Sequence, residues 1–135
     1  MKNPLLVDQW LSRAQSNLDR ARAGKICDTI LYEDLCYDCQ QAVEKSLKSL
    51  LIAHDRVSPH THIIARLLET LETEGIAVPD NLKSASDLTE YAVHTRYPGL
   101  YEPVTEDDYR EALATAELIH AWVLTKIRGS CAPSP

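Results

Sequence analysis

Apolar side chains recur at every third or fourth position along most of the chain, which is the period of one face of an α-helix. No segment alternates apolar and polar residues as a half-buried strand does. The pattern predicts helices over about 5–23, 28–54, 58–75, 79–97 and 105–128. We therefore expect an all-α fold, an up-and-down antiparallel bundle of four long helices plus a short additional helix. The stripe of the first helix consists of Val7, Trp10, Leu11, Ala14, Leu18 and Ala21.

Residues with strong positional preferences mark the helix ends. Gly24 occupies the usual position after a helix C-terminus. Ser58 and Pro59 are suited to the cap and the first position of the third helix. Pro98 ends the fourth helix, because the residue before a proline avoids helical backbone angles. Thr105 is expected to cap the last helix, whose acidic first turn suits the positive end of the helix dipole.

Length and charge limit the classes of function. The 135 residues fit one domain, expected over residues 1–128, with 129–135 as a disordered tail. A net charge of −6 argues against tight non-specific binding to nucleic acid, which needs many basic contacts to phosphates, but allows a local basic cleft. No apolar run approaches the ~20 residues that span a bilayer, and the N-terminus lacks a secretory pattern. We expect a cytoplasmic protein without a cofactor or membrane association.

Cys36 and Cys39 form a Cys-x-x-Cys pair, the spacing of many zinc sites and redox dithiols. Both lie in the apolar arc of the second helix, opposite Asp38, Gln41, Lys45 and Lys48, which we expect to form a solvated face. A zinc site would need His60 and His62, whose spacing is not that of a zinc finger. A redox pair would sit at a helix N-terminus after a strand. We therefore interpret the cysteines as buried apolar residues and predict no metal site.

The residues after this pair carry a family resemblance. The sequence QQAVEKSLKSLL at 40–51 resembles the QQAxEKxLKxLL helix of HEPN domains, which are small helical prokaryotic proteins found beside nucleotidyltransferases. The sequence HTHII at 60–64 is similar to the start of the family's next helix, and RYPG at 96–99 is similar to its turn before the last helix. The motifs occur in the family's order and cover about residues 7–127. The resemblance implies an antiparallel bundle that usually forms a homodimer.

Some members of this superfamily are metal-independent ribonucleases with an Arg-x4–6-His motif. In that motif, the histidine transfers a proton and the arginine stabilises charge on the phosphate. Arg96 matches the arginine, but no histidine follows it at the required spacing. His94 and His120 are the candidates for a relocated histidine, so whether the chain is an enzyme stays open.

Four further assignments have both a functional and a structural interpretation. Arg96 either contacts phosphate or pairs with a nearby glutamate. Tyr97 either stacks on a base or fills a packing interface. His62 either binds an anion in the first turn of the third helix or caps that helix. Lys45 either reaches a nucleotide or lies on a solvated face.

Tyr101 and Tyr109 are clustered with Tyr97 around the loop before the last helix. We expect packing for at least two of these three tyrosines, because the chain has no phenylalanine. Trp10 and Trp122 lie on the apolar stripes of the first and last helices, where we expect them to be structural.

Three hypotheses follow for the function. The first is a nucleotide- or nucleic-acid-binding partner of a separate minimal nucleotidyltransferase, in an arrangement that also fits a toxin–antitoxin module. The second is a metal-independent endoribonuclease that uses Arg96 with His94 or His120. The third is a structural dimerisation module without a ligand.

Overall fold

The structure is a computed structural model that describes residues 2–93, 97–99 and 101–131, except for the side chains of residues 130 and 131. Within these ranges the chain is helical and has no strand, which confirms the all-α fold class. No helix in the described ranges is long and apolar enough to cross a membrane. The elements are α1 (Pro4–Ala23), α2 (Tyr32–Ala53), α3 (Ile64–Thr73), a 3-10 helix (Asp80–Thr89), α4 (Glu90–Val93) and α5 (Glu106–Cys131).

Helix α2 occupies the centre of the bundle. It packs against α1, α3, the 3-10 helix, α4 and α5, and 15 of its 22 residues are buried. Its apolar residues form the middle of the core, because α1 and α5 cover them from two sides. The core residues of α2 include Cys36, Cys39, Val43, Leu47, Leu50 and Leu51, each with 0% exposure.

The helix directions depart from a simple up-and-down order. Helices α1 and α2 are antiparallel, since Asn17 contacts Asp38 near one end and the backbone N–H of Lys2 donates to Asp55 near the other. Helix α3 runs in the same direction as α2, because residue 62 contacts residue 40 before α3 begins, and Arg56 pairs with Glu74 where α3 ends. The loop between α2 and α3 therefore returns along α2 before the next helix starts.

This return changes the predicted third helix. Helix α3 begins at Ile64 rather than at Pro59, and Ser58 provides no cap, since its buried hydroxyl has no hydrogen-bond partner within the described residues. The chain leaves α2 through Asp55, whose φ of 58° lies in the left-handed region. The helix start predicted at 58–59 is therefore wrong, because these residues belong to the loop that returns along α2 before α3 begins.

The fourth segment is also different from the prediction. A 3-10 helix of 10 residues precedes a four-residue α4, so the described part of the bundle has three long helices instead of four. Residues 94–96, which belong to the last turn of the predicted fourth helix, lie outside the described residues.

The end of the first helix and the start of the last helix agree with the sequence. Gly24 follows α1 with φ of 69°, a conformation that favours glycine. Thr105 and Asp108 cap α5 reciprocally: the Asp108 N–H donates to Thr105 Oγ1 at 3.1 Å, and the Thr105 N–H donates to Asp108 Oδ2 at 3.0 Å. Helix α5 continues to Cys131, which is three residues into the segment predicted as a tail.

Candidate functional site

The polar side of α2 is buried rather than solvated. Gln40, Gln41 and Glu44 are each at most 9% exposed, because α1 and the segment before α3 cover this side of the helix, including Gln41, which the helical pattern had assigned to water. Lys45 is only partly exposed, and the Lys48 side chain is 12% exposed. Buried polar groups are costly unless they are hydrogen-bonded, so the partners of these side chains define the candidate site.

Glu44 is the centre of the first polar network. Its Oε1 accepts hydrogen bonds from His62 Nδ1 at 2.9 Å and from Gln40 Nε2 at 3.1 Å. Its Oε2 accepts from Lys48 Nζ at 2.9 Å. Burial of Glu44 works to raise its pKa, but the hydrogen bonds from Lys48, His62 and Gln40 outweigh burial and leave the pKa below its usual value. The carboxylate is therefore kept ionised by donors from α2 itself and from the loop before α3.

His62 is presented to solvent by this network. Its side chain is 69% exposed, although the carboxylate that holds its ring is almost completely buried. Gln40 Nε2 also donates to the backbone carbonyl of His62 at 3.2 Å, so the residue is held at two points. With Nδ1 bound to Glu44, the other ring nitrogen, Nε2, is the one left to contact a ligand.

The sequence pattern predicts His62 in the first turn of the third helix, but the structure places it before that helix. It precedes the N-cap residue of α3, Ile63. The N–H of Ile63 donates to the Thr61 hydroxyl, and that of Ile64 donates to the Thr89 hydroxyl. Two of the backbone donors at this helix start therefore already have partners, and anion binding by His62 depends mainly on its side chain.

Lys45 belongs to a second network, between α1 and α2. Its Nζ donates to Asn17 Oδ1 at 2.7 Å, and Asn17 Nδ2 donates to Asp38 Oδ1 at 2.9 Å. Arg20 Nε lies 3.5 Å from Asp38 Oδ2. The Lys45 pKa is lowered by burial and by the positive charges of Arg13 and Arg20, against the opposing effect of acidic neighbours. Lys45 thus contacts α1, whereas His62 lies beside α3.

The same network contains residues that the sequence analysis missed. Asn17 falls within the apolar stripe of α1, between Ala14 and Ala21 on the same helix face, and is only 7% exposed. A short amide in such a stripe was the available signal for a buried polar partner. Asp38 was assigned to the solvated face, but burial on α1 makes it 4% exposed and raises its pKa.

The aromatic residues near the loop divide into two groups. Tyr109 has a packing role: its ring stacks on Tyr32 with centroids 5.4 Å apart, and its hydroxyl donates to the Ala21 carbonyl at 2.6 Å. Tyr97 and Tyr101 are 60% and 49% exposed. The exposed ring of Tyr97 is therefore accessible to a base or to a partner.

The candidate residues for catalysis are only partly described. Arg96 and His94 lie outside the described residues, so their predicted roles stay predictions. His120 is described and is 6% exposed, on the side of α5 that faces α1. Burial and the nearby charge of Arg22 lower the pKa of His120. A buried imidazole in this position does not fit the exposed acid or base that the ribonuclease hypothesis requires.

The Cys-x-x-Cys pair is part of the core, which confirms its interpretation as two buried apolar residues. Both thiols have 0% exposure. Burial raises the pKa of Cys36 to about 12 and raises that of Cys39 as well, so neither side chain is a ready thiolate. Across the described part of the chain, no group of three or more histidine, cysteine or acidic residues is arranged to hold a metal ion.

The fold and the polar networks of α2 define a class of small helical-bundle domain with a buried charged centre. The sequence-family model of the HEPN domain matches residues 7–127, so the chain belongs to the HEPN domain family. No protein of curated function matches it.

Two solved structures are similar over nearly the whole chain. The protein TT1696 from Thermus thermophilus is 34% identical, with a TM-score of 0.78 over 93% of this chain and 99% of that chain. ST0689, described as an archaeal HEPN homologue, is 29% identical, with a TM-score of 0.71 over 90% of this chain and 97% of that chain.

Proposed function

We propose that the protein is a nucleotide- or nucleic-acid-binding partner of a minimal nucleotidyltransferase, acting as a homodimer and within a toxin–antitoxin module. Membership of the HEPN family supports the general class of function. The nucleotidyltransferase partner and the toxin–antitoxin role derive from the family resemblance. Arg96, Tyr97, His62 and Lys45 are the residues proposed to contact the ligand.

The observation that supports ligand binding best is the exposed imidazole of His62 on the buried carboxylate of Glu44. Burying a carboxylate is costly, and here its hydrogen bonds fix an imidazole that is 69% exposed. An imidazole fixed through Nδ1 offers Nε2 as a positioned contact for a phosphate oxygen when protonated. Tyr97, whose ring is exposed and adjoins Arg96 in sequence, provides a stacking surface.

Equilibrium binding to AMP, ATP and a short single-stranded RNA tests this function. We expect His62→Gln and Arg96→Ala each to weaken binding by about tenfold, the effect of losing one charge-assisted hydrogen bond. His60→Gln is the matched control, because His60 is exposed two residues away and has no contact with Glu44. If no ligand of this panel binds, the protein is a structural dimerisation module and the proposal fails.

Co-expression with the nucleotidyltransferase encoded by a neighbouring gene tests the partner. We expect the two proteins to elute together on size exclusion, with light scattering giving a mass that contains two copies of this chain. Separate elution at micromolar concentration would contradict the partnership. A mass of one copy in the absence of the partner would contradict the homodimer.

One observation favours the second candidate function, a metal-independent endoribonuclease. The hydrogen bond from His62 Nδ1 to Glu44 is the arrangement that orients an imidazole for proton transfer, so His62 can take the place of the missing motif histidine. Incubation with RNA in EDTA should then give cleavage that is lost in both Arg96→Ala and His62→Gln. RNA that stays intact with the wild-type protein excludes this candidate and leaves the binding function.

A further inference from the structure

Trp10 lies at the surface of α1 and lines a cleft of about 200 Å³ together with Leu6, Gln9 and Arg13. The sequence pattern assigned Trp10 to the core-facing stripe, but its ring remains partly exposed. Trp122, in contrast, packs against the core. The ammonium of Lys48 lies over the Trp10 ring, 5.8 Å from its centroid, and the part of the indole that remains exposed is the surface on which a base could stack.

Three basic residues follow the contact between α1 and α2, starting from Arg13 in this cleft. We call Arg13, Arg20 and Lys45 the basic seam. Arg13 and Arg20 share one face of α1, because their spacing of seven residues is close to two helical turns, and this face lies roughly 60–80° around the helix from Trp10. With a rise of about 1.5 Å per residue, they lie roughly 4.5 Å and 15 Å from Trp10 along the helix axis. The seam is therefore a row of cations that begins at the cleft.

Arg13 and Arg20 are exposed and Lys45 is partly exposed, whereas two nearby carboxylates are buried. Asp38 and Glu44 are 4% and 3% exposed, and each already has hydrogen-bond partners from the protein. Arg13 is exposed and forms no ion pair with any residue in the described ranges. The seam thus offers accessible cations to an anion, although the whole chain has a net charge of −6.

The charges of the seam act against one another. Burial is the main cause that lowers the pKa of Lys45; the positive charges of Arg13 and Arg20 lower it further, whereas Glu44 and Asp38 raise it. Asn17 fixes the Lys45 ammonium at 2.7 Å, so the side chain cannot move away freely. An anion at the seam would relieve this repulsion, because it would neutralise part of the positive charge.

The geometry points to a nucleoside-phosphate subsite at the Trp10 cleft, in which the indole stacks on a base while Arg13 and Lys45 contact phosphates. A stacking ring beside a row of cations is the arrangement that recognises single-stranded nucleic acid. An acidic peptide would use the cations but would have no base to stack on the indole. The inference rests on the proposed function for the class of ligand, but it places that ligand on the surface of α1.

Fluorescence of the Trp122→Phe variant tests the stacking directly, because Trp10 is then the sole tryptophan of the chain. We expect AMP and an unlabelled single-stranded RNA to quench it with a saturable dependence on concentration. In anisotropy measurements with a labelled single-stranded RNA of about ten nucleotides, Trp10→Leu should lower the affinity roughly tenfold, within the range measured for one base stacked on an aromatic ring.

The charge is tested by Arg13→Gln in the same anisotropy assay. We expect a several-fold loss of affinity and a decrease of about 0.7 in the slope of log affinity against log salt, which corresponds to one lost phosphate contact. Arg110→Gln is the matched control, because Arg110 is an exposed arginine on another helix, where it pairs with Glu106. The RNA affinity and the salt slope of Arg110→Gln should equal those of the wild-type protein.

The outcomes separate this inference from the proposed function. Loss of binding in Arg13→Gln but not in Arg96→Ala supports the α1 subsite and contradicts the Arg96 site. The reverse result overturns the inference and leaves the proposed function intact. Unchanged Trp10 fluorescence at saturating RNA also overturns the inference. So does a poly-glutamate peptide that competes fully with the RNA without quenching Trp10 fluorescence, since the surface would then be a protein-docking face.

Discussion

Replacing the buried carboxylate of Glu44 is the most direct test of how the central helix is held. Glu44→Leu keeps the approximate volume of the side chain but removes the acceptor for three donors, namely Lys48, Gln40 and His62. Lys48 would be left as a charge with 12% exposure in contact with an apolar side chain. We therefore expect a clear decrease in the free energy of unfolding.

The magnitude follows from the burial of the partners. Breaking a buried ion pair by removing one member costs about 3–5 kcal/mol. Lys48 retains some exposure and can turn its ammonium towards water, and His62 is mostly solvated, so we expect the lower end, about 3 kcal/mol. For a chain of this size, this loss corresponds to a decrease in melting temperature of roughly 10 °C.

Urea unfolding followed by far-UV circular dichroism at pH 7 measures this loss. Glu117→Leu is the control, because Glu117 forms an ion pair with Arg22 in which both side chains are more than 40% exposed, and it should cost at most about 1 kcal/mol. The Glu44 pKa is lowered in the folded state, so its contribution is fully present above the unfolded pKa and is lost as the pH falls through the folded pKa. The gap between wild type and Glu44→Leu should narrow accordingly in acid. Equal stability of the two proteins at pH 7 would refute the reasoning.

Three further predictions concern other parts of the bundle. Asp38→Asn should show the opposite pH dependence, because the folded pKa of Asp38 is raised, so its contribution to stability is present below the unfolded pKa and is lost as the pH rises through the folded pKa. In urea unfolding at several pH values, the stability of the variant relative to wild type should increase as the pH rises. A constant difference would contradict this. Cys39→Ala should lower the free energy of unfolding by about 1–2 kcal/mol through the space it leaves, with unchanged RNA and partner binding; zinc that binds tightly to the wild type, and not to this variant, in atomic absorption would disprove the core assignment. Tyr109→Phe removes the donor to the Ala21 carbonyl and should cost about 1 kcal/mol in urea unfolding, whereas an unchanged midpoint would show that water replaces the hydroxyl.

Much of the fold could be predicted from local signals. The helical periodicity predicted α1, most of α2 and α5, because each has an apolar stripe long enough to distinguish a helix from a strand. Thr105 was identified as the cap of α5 for a similar reason, since a capping box depends on residues only three positions apart. The family motifs around residues 40–51 were equally local, so the assignment to the HEPN family did not need the tertiary structure.

The candidate site depended on contacts between distant parts of the chain. His62 and Glu44 are 18 residues apart, and Lys45 and Asn17 are 28 residues apart. A helical wheel separates apolar from polar positions, but it cannot show that a neighbouring helix will cover the polar side as well. For that reason the sequence alone placed the polar residues of α2 in water and Trp10 in the core.

The sequence by itself thus determined the class of fold, the main helices and the family, all of which follow from periodicity and short motifs. Only the tertiary structure decided that α3 runs parallel to α2 and that Glu44 is buried beneath an exposed His62. It also decided that Trp10 lies in a surface cleft beside Arg13. The physical reason is that burial is a property of the packed helices together, because the same polar stripe is solvated or enclosed according to which element lies against it.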